Sequence, residues 1–379
     1  MKAYINATLL NEKGEWVEGQ ALLVDGTKIK DVLSLHEVPA EAEKIDVNGL
    51  TITPGLIDVH THLGVHEESI GKPGADFNET SDPATPEVRA LDGLNPREEG
   101  FLLARSCGVT TVQVLPGSAN VIGGEMCTVK TAGHIVDEMI VQSPSGMKAA
   151  FGENPKRVYE AKGKKPITRM GVAAVFRENL IKAQNYKRKL ENGESLDRDL
   201  GMEQLVKVLN KEIPLRVHAH RADDMVTVLR LAEEFDVNLT LEHGTEGHHI
   251  ADYVGKHDVS VSVGPTMTPK IKVEVNDKQW ETLQELENNG VNVAITTDHP
   301  VISIEHFVTG AAKAHNAGFP ESSALRAITI NAAKHLGLED RLGSLEAGKD
   351  ADFVIWNGHP FDYRTTVQDV FIEGKDVLK

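Results

Sequence analysis

The chain has 379 residues, of which 40 % are hydrophobic and 26 % charged, a make-up that excludes a mainly disordered or fibrous protein. Acidic residues outnumber basic ones by 57 to 40, for a formal net charge of −17. So acidic a surface repels phosphate backbones and anionic lipid heads, and neither nucleic acid nor a membrane is expected as a partner.

Residues 1–52 read as short strands and tight turns. Ala3 to Leu10 alternates weakly, Asn11-Glu12-Lys13-Gly14 is a turn, and Asp25-Gly26 is a hairpin signal between residues 21–24 and 28–30. From Thr53 apolar runs of strand length take over, separated by helical stretches. The runs are 55–59, 109–114, 215–217, 238–241, 259–263 and 291–295; helices are expected at 97–107, 223–235 and 280–288, the last ending at Asn289-Gly290. Buried strands alternating with helices predict βα units and a parallel sheet. A long polar connection at 66–97 is expected to line a pocket. The Lys-, Arg- and Glu-rich stretch 155–213 reads as an elaborated crossover or a flap over the site. Strand texture returns at 352–356 and 367–372.

The expected architecture is α/β: a (β/α)8 barrel over residues 53–345, with a small β-sandwich domain formed by both chain termini, residues 1–52 and 346–379. A doubly wound sheet is the alternative on periodicity alone. Two cysteines, Cys107 and Cys127, are too few for a disulfide scaffold, and no apolar run reaches signal or membrane-spanning length. A reduced, cytoplasmic protein is the expectation.

The sixteen histidines carry the chemistry. In Gly55-Leu56-Ile57-Asp58-Val59-His60-Thr61-His62, two histidines at i and i+2 share one face of a strand end, about 6–7 Å apart, close enough to grip one metal ion. The geometry repeats at other strand exits: His218 and His220 after 215–217, His243 after 239–242, Asp298 after 293–297. A buried aspartate is costly unless paired or metal-bound, although a helix cap is an alternative for Asp298 alone.

Pro54 to His62 resembles the first-strand metal motif of the metal-dependent amidohydrolase superfamily. Residues 329–337 (TINAAKHLG) resemble the helix after its last barrel strand, and residues 343–354 (GSLEAGKDADFV) the segment leading back to its small β-domain. The similarity is closest to imidazolonepropionase-like and Xaa-Pro-dipeptidase-like members. It implies His60, His62, His218, His243 and Asp298 as ligands of a divalent metal; His218 is preferred to His220 as the fifth-strand ligand, the reverse being the alternative, and His220 is placed against the substrate or behind the ligands. It also implies one or two ions, the second needing a bridging anion such as a carboxylated lysine. Lys148 is the candidate, with Glu125 and Glu153 as rival carboxylates. Zinc is the first expectation, with manganese, iron, cobalt or nickel able to use the same ligands. The resemblance further implies a homo-oligomer.

The expected function is hydrolysis of a carbon–nitrogen bond in an amide, cyclic amide or small peptide. A metal ion activates water and polarises the carbonyl. Asp298 moves the proton, and His243 or His220 steadies the oxyanion. Asp58, Glu242 or Thr297 is expected to anchor a ligand ring. Lys270, Lys272, Arg221 and Arg169 are candidates for a carboxylate on a small-molecule substrate. The alternatives are a deaminase of a small heterocycle and a non-catalytic metal-binding barrel.

Overall fold

The computed structural model describes residues 1–379 as two eight-stranded sheets. One is built from both ends of the chain. Its central strand, Lys2–Leu10, pairs antiparallel with Trp16–Asp25 and parallel with Glu43–Asp46 and Thr51–Pro54. Phe353–Trp356 then joins the C-terminal strands to it by pairing antiparallel with Thr51–Pro54, a strand that straddles the expected boundary at residue 52. The Asp25-Gly26 hairpin forms as its residues require, with Asp25 opposite Lys28 and Gly26 at φ 60°. Tyr4, Leu22, Ile52, Phe353 and Phe371 fill the core of this sheet, and Phe353 stacks on Phe371 with ring centroids 4.3 Å apart.

The other sheet is the barrel. Its strands, in order around the sheet, are Leu56–Thr61, Val109–Val114, Ile122–Lys130, Ile140–Ala150, Leu215–Ala219, Leu239–His243, Ser260–Val263 and Val293–Ile295. The first and last meet through a bridge between Thr61 and His299, and the His62 N–H donates to the His299 carbonyl at 2.8 Å. Asp58 fastens the same seam, accepting from the Thr296 and Thr297 hydroxyls at 2.6 Å each.

The barrel is not wholly parallel, as eight βα repeats would make it. The third strand, Ile122–Lys130, runs antiparallel to both neighbours. The link from the second strand spans only residues 115–121. A parallel return needs a dozen or more residues, so the chain doubles back instead.

Residues 155–213 form a helical crossover. They complete Glu153–Glu160 and build Arg169–Glu191 and Leu200–Leu209, the last two capped by Thr168 and Asp199 side chains. Val172, Phe176, Leu180 and Ala183 of the long helix are buried in the main core. Among the other expected helices, Glu99–Ser106, Ala222–Phe235 and Glu281–Asn288 appear, with Gly290 at φ 81° past the last. No helix is long and apolar enough to cross a membrane.

Candidate active site at the barrel mouth

Strand alternation, carried one residue past each strand end, puts His62 on the same face as His60 of the buried first strand, and His220 on the same face as His218 of the fifth. His243 is the last residue of the sixth strand, Asp298 follows the eighth, and Lys148 rises from the fourth. His243 and Asp298 both hold left-handed backbone, φ 76° and 55°. That conformation costs a non-glycine residue about 1–3 kcal/mol and here interrupts the strand geometry where both side chains join the group.

Each imidazole is held by its Nδ1. That of His60 lies 3.1 Å from Glu242 Oε2; those of His62 and His243 meet the carbonyls of Leu115 (2.8 Å) and Gly264 (2.7 Å). A carboxylate or carbonyl only accepts, so in these three rings Nδ1 carries the proton and Nε2 is left as a lone pair. His218 meets Ser118 Oγ at 2.9 Å and His220 meets Thr245 Oγ1 at 2.7 Å. A hydroxyl donates or accepts, so these two tautomers follow whatever faces Nε2.

The free nitrogens converge. Ligand atoms of His218, His220 and His243 lie within 4.8 Å of one another, as do those of His60, His243 and Asp298. Asp298 Oδ1 is 3.3 Å from His62 Nε2 and 3.5 Å from His60 Nε2. The Nε2 atoms of His60, His218 and His243 and Nζ of Lys148 are buried with no hydrogen-bond partner. Orphaned polar atoms in such number are rare unless something else satisfies them. Imidazole nitrogens beside a carboxylate are the donors that zinc and its first-row neighbours take, and these residues fit a divalent metal ion.

The electrostatics agree. Burial, helped by the Lys148 amine, pushes His60 down to about 4; burial, helped by His60, pushes His243 down to about 3. Burial and then His243 hold His218 and His220 well below the usual imidazole range. All four rings are neutral, the form that binds metal. Burial would raise the Asp298 carboxyl, but contact with His62 and the nearby His243 and His60 hold it well below its usual range. Burial pushes the Lys148 amine down to about 8.

Of the expected ring anchors, Glu242 does the work. It also faces His335 Nε2 at 2.9 Å and accepts from Thr240 Oγ1 and Ser262 Oγ at 2.6 and 2.5 Å. Asp58 and Thr297 touch none of these rings; they bind each other across the barrel seam. Glu125 lies in the antiparallel third strand and pairs with Lys207 at 3.0 Å. The glycine before it makes room for chain rather than ligand, since a Cβ at Gly124 would come 2.5 Å from the Val88 carbonyl oxygen. Glu153 reaches the site through its backbone N–H, which donates to Glu274 Oε2 at 2.8 Å.

A cavity of about 340 Å³ opens over the cluster, lined among others by His62, Phe77, Arg157, His220, Lys272 and Asp298. Phe77 comes from the 66–97 connection, which therefore lines the pocket as expected. Of the four candidate cations, Lys272 lines it. Arg169 pairs with Asp224 at 3.0 Å and Arg221 with Asp223 at 2.9 Å, and Lys270 is exposed outside the lining. Sequence reasoning missed Arg157 and the buried Glu274; the one signal for Glu274 was a carboxylate flanked by two valines.

A barrel with such a cluster at its mouth is the architecture of a metal-dependent hydrolase. The model of the amidohydrolase family matches residues 196–377. The crystal structure of an amidohydrolase from Thermotoga maritima is 44 % identical over all of this chain and 99 % of that one, with a TM-score of 0.96. Amidohydrolase tasK of Hapsidospora irregularis is 29 % identical over 95 % of this chain, which spans 40 % of that protein's length. An imidazolonepropionase of Acinetobacter baumannii is 26 % identical over 93 % of this chain and 92 % of its own. The chain belongs to the amidohydrolase family, and its barrel mouth is a metal-coordinating active site suited to hydrolysis of a carbon–nitrogen bond.

Proposed function

We propose that the protein hydrolyses an amide, cyclic amide or small peptide and holds two divalent ions, zinc foremost. His60, His62 and Asp298 are assigned to one ion, His218 and His243 to the other, with a carboxylated Lys148 between them. The buried, unpartnered amine supports this last assignment: its nitrogen would add to carbon dioxide with loss of one proton, giving a carbamate whose single negative charge is shared by two oxygens. When bound, the metal lowers the pKa of water and polarises the scissile carbonyl.

The rest falls to the protein. Asp298 takes the proton of the attacking water and delivers it to the leaving nitrogen. His220 rests on a threonine hydroxyl able to donate to its Nδ1, so its Nε2–H is available to the developing oxyanion. His243, held by a carbonyl, offers only a lone pair and serves as a ligand. The observation that carries this reading is the set of buried, unpartnered nitrogens of His60, His218, His243 and Lys148, with His60 and His243 grouped beside Asp298. The test is a panel of imidazolones, hydantoins, N-acyl amino acids and dipeptides, followed by product analysis. Ring opening or amide cleavage to a carboxylate is expected. Ammonia release from heterocyclic amidines alone would favour the deaminase instead.

A further inference from the structure

Glu274 is the middle residue of a short turn of helix, Val273–Val275, in the connection after the seventh barrel strand, and its side chain is 1 % exposed. One carboxylate oxygen, Oε2, is fixed by the backbone N–H of Glu153 at 2.8 Å. The other, Oε1, points into the histidine cluster, 3.8 Å from His218 Nε2 and 3.8 Å from His220 Nε2. Both distances are too long for hydrogen bonds. The separation from His218 suits ligands of a shared ion, because two donors each about 2.0–2.2 Å from one zinc stand roughly 3–4 Å apart; His220, whose Nε2–H is assigned to the oxyanion, is not counted among them. A cation already sits against Oε1: Lys272 Nζ is 2.6 Å away, and it also reaches Asn154 Oδ1 at 3.2 Å. The fold makes room for this carboxylate, since a Cβ at Gly152, φ 94°, would lie 2.7 Å from Glu274 Oε2.

We propose that Glu274 is a metal ligand, joining His218 at the ion on the fifth-strand side of the site. Lys272 then leaves Oε1 and remains on the cavity wall beside Asn154. The proposal rests on the two-ion reading above and adds a protein carboxylate to the second ion, so that Lys148 is not its sole anionic donor.

The test is zinc binding to the full chain, read by metal analysis and by competition with a chromophoric chelator. Glu274→Gln keeps the shape and loses the charge; it is expected to bind one zinc tightly and the second at least tenfold more weakly than the parent. Lys272→Met is expected to keep both ions, because it removes only a competing cation. Anomalous scattering from crystals of the zinc-loaded parent gives a readout that does not depend on how the variants fold. It is expected to place an ion in contact with Glu274 Oε1 and His218 Nε2. Two zinc ions bound by Glu274→Gln as tightly as by the parent, or an ion beside His218 with Glu274 still on Lys272, would overturn the inference and leave the two-ion reading standing. A parent chain that takes up no zinc would overturn both.

Discussion

His60 and Glu242 meet through a 3.1 Å contact between Nδ1 and Oε2, in a part of the barrel that neither side chain shares with solvent. Glu242 is held in turn by His335, Thr240 and Ser262, and Arg216 beneath it donates to the His335 carbonyl at 2.8 Å. Burial alone would raise the Glu242 carboxyl, yet His335 and His60 hold it well below its usual range. The carboxylate therefore stays charged and keeps the His60 lone pair aimed at the site.

Replacing Glu242 with Gln weakens that grip. Metal affinity is expected to fall about 10–100-fold, the usual cost of losing such a partner behind a ligand histidine. Chelator competition checks it; unchanged affinity would mean that His60 is oriented by packing alone.

Asp298→Asn removes the proton acceptor while keeping the side-chain shape. Turnover is expected to fall by about 10²–10⁴, with the thermal unfolding temperature of the metal-free protein close to that of the parent. Full activity would remove Asp298 from proton transfer.

Lys148→Ala removes the amine proposed to become a carbamate. Metal content is expected to drop from about two ions per chain toward one, as read by elemental analysis of protein loaded with zinc in bicarbonate buffer. Unchanged content would take Lys148 out of the site.

Asp58 is a test of barrel closure rather than chemistry. It accepts from the hydroxyls of Thr296 and Thr297 and from the Thr297 and His60 N–H groups. Asp58→Ala leaves these donors unpaired in a buried seam, and a loss of about 3 kcal/mol or more is expected in urea unfolding of the metal-free protein. A loss under about 1 kcal/mol would show that the seam is held elsewhere.

Local periodicity made much of this legible. The period of two along a strand places His60 with His62 and His218 with His220, and strand exits mark His243 and Asp298. Direction was not legible in the same way. Residues 122–130 are not among the runs that read as strand, because Gly123-Gly124 looks like a loop turn, and only the short link at 115–121 betrays a strand that doubles back. That reversal also carries Glu125 to Lys207 instead of into the mouth. Partners far apart in the chain leave no local pattern either: Glu242 and His335 are separated by 93 positions, and Glu274 sits in a loop whose Lys and Asn neighbours suggest solvent.

The central claim is that separate strand ends converge to hold a divalent ion on which hydrolysis depends. Its most direct test measures hydrolysis of the best substrate from the panel by protein stripped with a chelator, before and after zinc is restored. Negligible turnover is expected in the stripped protein, with recovery as zinc fills the site. Undiminished hydrolysis by protein shown to contain no metal would contradict the claim.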